Sequence, residues 1–421
     1  MHLAEKLVAR AAGREAVTPG EIVTCAVDLA MMHDSGGPRR VKPLLEKLGA
    51  RVWDPDKVVV ITDHYLPAAD EESRAILDTA RRWVREAGVS RFHDEQGICH
   101  VVLPERGHLR PGLFVVGGDS HSPTGGAFGC YMFGVGATEM LGVLVTGEIW
   151  LRVPQTIRLQ WEGRLADGVV AKDMMLAMCA ALGMDGGRYQ AVEYCGEAVR
   201  GLGMQERMTL CNMAAELGAQ AGLVAPDETT RSYLLQAGVP DTAIDLARWH
   251  GDPAAAGAED HRFDAGALAP QVAAPHSPAN SAPWDRHGPV SFDVAYIGAC
   301  TGAKLSDLRM AARILRGRRV AAGVRLLVGP ASARDQRHAE EEGTLGALVD
   351  AGAELLANSC GACAGYGAHR FGPGQRIIAS TARNFRGRMG SPDAAIYLGS
   401  PYTVAAAAVA GRLVDPRELL Q

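Results

Sequence analysis

The stretches Tyr-Ile-Gly-Ala-Cys-Thr-Gly, residues 296–302, and Asn-Ser-Cys-Gly-Ala-Cys-Ala-Gly, residues 358–365, decide how this chain folds and what it can do. They contain Cys300, Cys360 and Cys363, and each stretch follows a short apolar run that predicts a buried strand. Loops beyond the carboxyl ends of parallel strands converge in one crevice. The three thiols can therefore meet despite their separation in sequence.

Three thiols are one ligand fewer than the four that a structural metal site uses. An iron–sulfur cluster held by three cysteines leaves one iron open to a substrate, so the spacing favours catalysis at a metal centre. A zinc site completed by His369, or a set of buried unreactive thiols, fits the same spacing about as well. The other cysteines lack paired spacing and are predicted to be packing residues: Cys25, Cys99, Cys130, Cys179, Cys195 and Cys211.

The composition is that of a large enzyme from a reducing compartment. The chain has 421 residues, 47% of them hydrophobic, which is enough for two or three domains. A formal net charge of −5 gives no basic surface, so nucleic acid is not an expected partner. Nine cysteines, an odd number, argue for metal binding or catalysis rather than for a disulfide framework.

Neither a secretory signal nor a membrane span is expected. Residues 1–14 contain Glu5 and lack a signal's apolar core, so they predict an amphipathic helix. The most apolar later segment, residues 143–151, is short and contains Glu148. We therefore expect a cytoplasmic protein that does not bind membranes.

Short β-branched runs alternate with helical patterns along the chain. Residues 57–62 predict a strand, and apolar residues at helical spacing then run from the cap Asp70 to Gly88. This alternation indicates an α/β fold with mainly parallel sheets. Residues 251–289, rich in Ala, Pro, Asp and His without periodicity, predict a surface connection between domains. The expected α/β/α domains around a central site span residues 1–155, 156–285 and 286–421.

Imidazoles and carboxylates occur together at predicted strand-to-loop transitions. The three segments are Asp63-His64, Asp119-Ser120-His121 and Gly97-Ile98-Cys99-His100. A carboxylate beside an imidazole raises the imidazole pKa and fixes its tautomer, as a proton-transfer group requires. Most Asp-His pairs on protein surfaces are simply solvated, so any one of these pairs taken alone is weak evidence for a site.

Two further polar sets are candidates for the same site. Residues 205–220 predict a helix that is apolar nearly all round, in which Asn212 and Glu216 share one face. Instead of a role in the site, the two side chains could form an internal hydrogen-bond pair between helices, which is about as common. Arg383 and Arg388 follow another predicted strand, and their guanidinium groups suit bidentate binding of carboxylates, although a basic loop is usually just solvated.

Seven ordered motifs make the chain similar to the aconitase superfamily, most closely to the large subunits of isopropylmalate isomerase and homoaconitase. The motifs are residues 52–57 (Val-Trp-Asp-Pro-Asp-Lys), 97–100 with 103–105, 118–121, 171–173 (Ala-Lys-Asp), 209–213 (Thr-Leu-Cys-Asn-Met), 297–301 and 383–388 (Arg-Asn-Phe-Arg-Gly-Arg). They run through nearly the whole chain. Their order is difficult to reproduce by chance in a generic α/β protein.

The resemblance implies a [4Fe-4S] cluster on Cys300, Cys360 and Cys363, whose open iron acts as a Lewis acid on a substrate hydroxyl and carboxylate. It implies that carboxylates support catalytic imidazoles, with His64 donating a proton to the leaving hydroxyl. The implied pairs are Asp63 with His64, Asp119 with His100, and Glu216 with His121. The remaining implied contacts are Asn212 beside the cluster, Ser120, Arg383 and Arg388 on substrate carboxylates, and His33 on another part of the substrate.

The activity that this resemblance implies is that of a hydro-lyase or isomerase. The substrate would be a small 2-hydroxy di- or tricarboxylate, with 3-isopropylmalate as the leading candidate. Family members complete their site with a swivelling domain. Because the chain ends at Gln421, soon after its last predicted helix, we expect that domain to lie on a separate small subunit.

The sequence also departs from the family pattern. Gly302 and Ala382 stand where the family usually has asparagine, and Ser122 stands where threonine is common. These changes leave open a simple hydratase of a methylated malate or maleate. A non-catalytic metal-binding protein and a structural zinc protein on the same fold are the alternatives from other classes.

Overall fold

The computed structural model describes residues 1–366 and 369–420. The strands are β1 (Ile22–Ala26), β2 (Leu29–His33), β3 (Val58–Ile61), β4 (Arg91–His93), β5 (Phe114–Gly117), β6 (Tyr131–Gly134), β7 (Glu148–Arg152), β8 (Thr156–Glu162), β9 (Ala191–Cys195), β10 (Ala221–Leu223), β11 (Glu259–Asp264), β12 (Gln271–Ala273), β13 (Ser281–Pro283), β14 (Val294–Ile297), β15 (Arg325–Val328), β16 (Ala353–Leu355), β17 (Arg376–Ala379) and β18 (Ala395–Leu398).

The helices lie mostly between these strands. They are α1 (Leu3–Ala11), α2 (Pro38–Leu48), α3 (Glu71–Ala87), α4 (Cys99–Glu105), α5 (Ala137–Thr146), α6 (Ala171–Leu182), α7 (Glu197–Gly201), α8 (Met204–Asn212), α9 (Glu228–Gln236), α10 (Leu305–Leu315), α11 (Ala333–Glu341), α12 (Thr344–Ala351), α13 (Gly361–Ala364) and α14 (Pro401–Ala410). Among the described residues, no helix has the length and apolar composition needed to cross a membrane.

The first large sheet is parallel and has the strand order β4-β3-β2-β5-β6. The chain begins at β2, builds outward through β3 and β4, and then returns to the other side of β2 with β5 and β6. The order in which strands are added to the sheet therefore reverses between β2 and β5, although these two strands are parallel. In open α/β sheets, side chains beyond the carboxyl ends at such a switch point form the binding crevice.

The largest sheet also has a switch point in its strand order. Its order is β13-β12-β18-β17-β14-β15-β16, and the strands from β18 to β16 are all parallel. The switch point lies between β14 and β17, the strands that precede Cys300 and Arg383. Strand β16 at the edge precedes Cys360. The predicted strand ends therefore carry the cysteines and the arginines to one side of one sheet.

A third sheet, β10-β9-β8-β11, is also parallel, whereas β1 and β7 form a separate antiparallel pair. One continuous apolar core contains residues from all three large sheets, and a second core packs α1 against the first sheet. The α/β class with mainly parallel sheets is confirmed. The proposed limits of the three domains remain a prediction.

Local sequence signals account for many of these elements. Asp70 caps α3 by accepting a hydrogen bond from the backbone N–H of Ser73 at 2.8 Å. Gly88 ends the same helix in the left-handed conformation, with φ of 71°. The helix predicted between these two residues is therefore confirmed.

Two predicted segments differ from the structure. Residues 251–289 are not irregular throughout, because they contribute β11 to the third sheet and β12 and β13 to the largest sheet. These strands form through pairing with distant residues, which local composition does not reveal. The predicted helix 205–220 divides into α8 and a 3-10 turn, Met213–Leu217, before Gly218 at φ of 70°.

Candidate active site

His64 and Asp63 form a buried acid–base pair immediately after β3. His64 Nδ1 lies 2.6 Å from Asp63 Oδ1, and the other oxygen of Asp63 accepts the backbone N–H of Cys99 at 2.8 Å. Burial alone would lower the pKa of His64, but the charge and hydrogen bond of Asp63 outweigh it and raise the pKa to about 10. The pair therefore holds an imidazolium at neutral pH.

Asp34, which the sequence analysis did not select, fixes the loop that carries this pair. It is fully buried, and its carboxylate accepts the backbone N–H groups of Asp63, His64 and Tyr65 at 3.1, 3.0 and 2.8 Å. The available signal was an aspartate directly after a strand and before two glycines. The N–H groups that Asp34 accepts belong to a loop about thirty residues later in the chain, so this local signal did not reveal its role.

His33 lies beside His64, with stacked rings whose centroids are 4.2 Å apart. Its Nε2 faces the carbonyl oxygen of Gly118 at 2.9 Å, and its Nδ1 accepts the N–H of Gly36 at 3.3 Å. Burial and the neighbouring His64 lower its pKa. His33 is thus a neutral ring with both nitrogens engaged, so a substrate contact would use its face or edge.

Asp119 connects two more imidazoles after β5. Its Oδ1 lies 2.7 Å from His100 Nε2 and accepts the backbone N–H of His121 at 2.8 Å. Although burial would raise the pKa of Asp119, the charge and hydrogen bonds of these histidines hold it well below its usual range. Asp119 Oδ2 is also 3.8 Å from His64 Nε2, which places the two acid–base pairs side by side.

His100 does not lie at a strand end, as predicted, but in the first turn of α4. The preceding Gly97 adopts φ of 123°, and a side chain there would meet the backbone of Ala331 and Ser332 at 2.5 Å. This close approach turns the chain into the helix. His100 Nδ1 is buried without a hydrogen-bond partner among the described residues.

Glu216, His121 and Arg383 form a third polar group. Glu216 Oε1 lies 3.0 Å from His121 Nε2 and accepts a hydrogen bond from Arg383 Nε at 2.8 Å. The Arg383 guanidinium also lies 2.8 Å from His121 Nε2. Burial would raise the pKa of Glu216, but the His121 hydrogen bond and the Arg383 charge lower it. The carboxylate therefore stays ionised in a buried place.

The single helix predicted to carry Asn212 and Glu216 ends at Asn212, and Glu216 lies in the following 3-10 turn. The Asn212 amide donates to Cys300 Sγ at 3.1 Å and to Thr124 Oγ1 at 2.9 Å. Its carbonyl oxygen is buried without a partner in the described chain.

The three selected cysteines converge on this side of the crevice. Cys360 and Cys363 share a side-chain hydrogen bond, and Cys300 is close enough for its charge to act on the pKa of Cys360. That hydrogen bond and the charge of Arg388 lower the pKa of Cys363 to about 5 despite burial. The pKa of Cys300 is raised to about 12 by burial and by Cys363.

Arg388 lies against the cysteine loop, whereas Ser120 is exposed to solvent. Arg388 Nε donates to the carbonyl oxygen of Cys363 at 3.0 Å, so this guanidinium braces the cysteine loop. Ser120 is exposed and lines a cavity of about 400 Å³ beside Asp119. The residues that line this cavity include Asp119 but none of the selected cysteines, arginines or histidines, so the substrate contact of Ser120 remains a prediction.

Two buried lysines were missed by the sequence analysis. Lys304 Nζ donates to the carbonyl oxygen of Cys300 at 3.0 Å and to Asp307 Oδ2 at 2.7 Å. Lys172 Nζ donates to the carbonyl oxygens of Ser380 and Thr381 at 3.2 and 2.5 Å. Lys172 lies in one of the quoted motifs, but sequence alone does not distinguish a buried lysine from a solvated one.

Gly302 packs directly against Ser380. A Cβ atom at position 302 would lie 2.1 Å from Ser380 Oγ and 2.5 Å from the Ser380 carbonyl oxygen. Ser380 Oγ accepts the N–H of Gly298 at 3.0 Å, which ties β17 to the loop before Cys300. The chain has no room for the asparagine that the family usually carries at position 302.

All nine cysteines are free thiols. Besides the three in the crevice, five are buried and Cys195 is half-buried. This agrees with the packing role that was predicted for them.

A model of the aconitase family (aconitate hydratase) matches residues 5–411, and the chain belongs to this family. It is therefore a hydro-lyase, and its site combines buried imidazole–carboxylate pairs with free thiols.

Relatives match over the full length of the chain. The 3-isopropylmalate dehydratase large subunit 1 of Methanopyrus kandleri is 42% identical over 420 residues, covering 99% of each chain. A probable 3-isopropylmalate dehydratase large subunit of Methanothermobacter thermautotrophicus is 42% identical, covering 100% of this chain and 99% of the relative. A probable methanogen homoaconitase large subunit from the same organism is 40% identical, covering 99% and 98%.

Among solved structures, aconitase X of Thermococcus kodakaraensis in its holo-form aligns with a TM-score of 0.49 at 13% identity. The alignment covers 86% of this chain and 84% of that one.

Proposed function

We propose that the chain is the large subunit of an iron–sulfur hydro-lyase that removes water from a small 2-hydroxy di- or tricarboxylate, and that 3-isopropylmalate is its leading substrate. The observation that carries this proposal is the convergence of Cys300, Cys360 and Cys363 with the His64–Asp63 pair in one crevice. The 42% identity to large subunits of 3-isopropylmalate dehydratase supports the choice of substrate.

The residues in the crevice fit a cysteine-held [4Fe-4S] cluster. The Asn212 amide donates a hydrogen bond to Cys300 Sγ at 3.1 Å, and such a bond stabilises the negative charge of a thiolate ligand. The guanidinium of Arg388 and the low pKa of Cys363 favour thiolate ligands.

The described thiols do not form a preorganised zinc site. Over residues 1–366 and 369–420, no set of three or more ligand atoms within 4.8 Å of one another includes a cysteine or His369. A structural zinc site uses four such ligands, so reconstitution is expected to give iron and sulfide rather than stoichiometric zinc.

When bound, such a cluster supplies a Lewis-acidic iron that polarises the substrate hydroxyl and carboxylate. The protein residues supply orientation and protons. Arg383, Arg388 and Ser120 would hold substrate carboxylates, because a guanidinium fork matches a carboxylate in two hydrogen bonds. Arg383 is already held by Glu216, which reduces the entropy lost when it engages substrate.

His64 would donate its Nε2 proton to the leaving hydroxyl. Asp63 holds Nδ1 and keeps the ring protonated at neutral pH, which leaves the Nε2 proton directed into the crevice. His100 and His121 would complete the site through their links to Asp119 and Glu216. The base that removes the carbon-bound proton would come from the swivelling domain of a separate small subunit.

A second candidate, hydration of a methylated malate or maleate without isomerisation, is favoured by one observation. Ser380 fills the space beside Gly302, so the amide that the family usually has there is absent, and Ala382 lacks a second one. Loss of amides near the cysteines would change how a substrate is held.

The test is anaerobic reconstitution followed by iron and sulfide analysis. The holo chain is then combined with its small subunit and assayed against 3-isopropylmalate, homocitrate, citramalate and methylated maleates. Cys300→Ser should abolish cluster loading and turnover, whereas the matched control Cys195→Ser should retain both. Stoichiometric zinc without sulfide, or activity that survives Cys300→Ser, would contradict the proposal.

A further inference from the structure

Lys172 is a buried ammonium without an anionic partner. It lies in the first turn of α6 and is 1% exposed. Its Nζ donates to Thr301 Oγ1 at 3.5 Å and to the carbonyl oxygens of Ser380 and Thr381. All three partners are neutral, and within the described chain no carboxylate oxygen lies within the 4.0 Å of Nζ that an ion pair requires.

Four nearby buried charges form two pairs within the protein. Lys304 is paired with Asp307 at 2.7 Å, and Glu216 is paired with Arg383. Asp173 and Glu206 are two further carboxylates nearby, but Asp173 accepts the backbone N–H groups of Val170 and Gln271, and Glu206 accepts that of Ala171. None of these carboxylates contacts the Lys172 ammonium directly.

A buried ammonium whose hydrogen-bond partners are all neutral is costly unless a negative charge lies nearby. Lys172 contacts Thr301, the residue that follows Cys300. Burial lowers the pKa of Lys172 to about 8, and Cys300 is the strongest of the negative groups that oppose this shift. The thiols become negatively charged when they lose their protons to bind a metal group.

We propose that Lys172 is the counter-charge of the group held by Cys300, Cys360 and Cys363, a positioning residue that stabilises its negative charge without touching substrate. The inference rests on the proposed function, because it requires a cluster at these thiols. One-electron reduction adds a negative charge to the cluster, so a fixed positive charge nearby favours the reduced state. Removal of the charge should make the cluster harder to reduce.

The test compares Lys172→Met, which removes the charge at similar volume, with Lys172→Arg, which keeps it. In reconstituted protein, the midpoint potential measured by dithionite titration with EPR detection should become more negative in Lys172→Met and stay near the wild-type value in Lys172→Arg. Lys172→Gln serves as a second neutral variant in case methionine does not fold.

Thermal stability provides a readout that does not depend on activity. Without the cluster, Lys172→Met should have a lower Tm than the wild-type apo protein, because the buried carbonyl oxygens of Ser380 and Thr381 lose their donor. The rise in Tm on cluster loading should also be smaller than in the wild type. A purely structural lysine would show the same lower Tm in the apo protein but an unchanged rise on loading.

The matched control is the double variant Lys304→Met with Asp307→Asn, which removes a buried ammonium together with its carboxylate. Its midpoint potential should change much less than that of Lys172→Met. Equal potentials in the wild type and in both neutral variants, or an equal shift in the control, would overturn the inference. Failure of the wild-type protein to take up iron and sulfide would instead overturn the proposed function and, with it, this inference.

Discussion

The chemistry of the site depends on how individual carboxylates set the charge of their imidazoles. Asp63 contacts only one imidazole directly, whereas Asp119 serves His100 and His121 together. The Asp63 carboxylate is therefore the one whose removal changes a single proton-transfer group.

The first prediction is that Asp63→Asn lowers the pKa of His64 from about 10 toward the usual imidazole value. Turnover by the reconstituted complex should fall by about 10²–10⁴-fold, which is the typical contribution of a positioned acid. The remaining activity should decline as pH rises above about 6.5, where the variant imidazole loses its proton. The measurement is a pH–rate profile at saturating substrate.

The control for this variant is Asp78→Asn, which changes an exposed carboxylate on α3. It should leave the profile unchanged, and both variants should hold the same amount of iron and sulfide. A wild-type rate in Asp63→Asn at pH 9 would contradict the assigned role of His64.

Residue chemistry could be predicted from sequence where a reactive side chain follows a strand directly. Asp63, Asp119, Cys300 and Arg383 all satisfied that condition, because a parallel sheet directs its strand ends to one edge. Lys172 lies in a helix rather than at a strand end, and only its burial distinguishes it from a solvated lysine. Asp34 does follow β2 directly, but its role depends on backbone N–H groups about thirty residues later in the chain. Burial is a property of tertiary contacts, and no local pattern encodes it.

At the level of elements, local sequence signals predicted helix ends correctly, whereas strands that form by pairing with distant residues could not be predicted. Asp70 and Gly88 define α3 through their own capping geometry, so the sequence was sufficient there. By contrast, β11 pairs with β8 about one hundred residues earlier, and α8 ends where Asn212 turns toward Cys300. These features depend on partners that are distant in sequence, and composition could not reveal them.

The second prediction concerns the contact between the Cys300 loop and β17. Gly302→Asn should destabilise the protein by about 1–3 kcal/mol or more, because the new side chain overlaps Ser380. Combining it with Ser380→Gly should cost less than the sum of the two single variants, since two of the three close contacts disappear. Urea unfolding of the apo protein measures this coupling.

Recovery in the double variant should be partial, because the Ser380 carbonyl oxygen would still lie 2.5 Å from the added Cβ. Gly346→Asn, at an exposed position of α12 with nothing within 4 Å of an added Cβ, serves to separate overlap from the effect of a new side chain alone. Strictly additive effects at positions 302 and 380 would contradict the proposed clash.

The third prediction concerns the junction of α4 and α11. Glu105 accepts a hydrogen bond from Ser332 Oγ at 2.7 Å, and Ser332 caps α11. Burial and the neighbouring Asp335 raise the pKa of Glu105 to about 8. Since its folded pKa exceeds its unfolded value of about 4.3, its contribution is complete below that value and is lost as pH rises through about 8.

Glu105→Gln imitates the protonated carboxyl, so its free energy of unfolding should exceed that of the wild type at pH 8.5 and approach it near pH 4.5. Each unit of pKa shift corresponds to about 1.4 kcal/mol at most. Urea unfolding at these two pH values measures the difference. Glu341→Gln, at an exposed position on α11, should show no such dependence.

At the level of the whole molecule, each large sheet contributes one part of the site. The first supplies the His64–Asp63 and His100–Asp119 pairs, the third supplies the segment with Asn212 and Glu216, and the largest supplies the cysteines and arginines. The hydrogen bond from Asn212 to Cys300 and the contact between Arg383 and Glu216 join these parts. The site therefore exists only when all three sheets are packed together.

The fourth prediction follows from that division, because the proposed base is on none of these sheets. The reconstituted chain alone should show little turnover, and activity should rise with added small subunit until the two are equimolar. Removal of iron from the saturated complex by ferricyanide and a chelator should abolish turnover, and anaerobic reconstitution should restore it. Full turnover by the isolated chain would show that the base lies within residues 1–421, and activity that survives iron removal would show that the thiols are not its metal ligands.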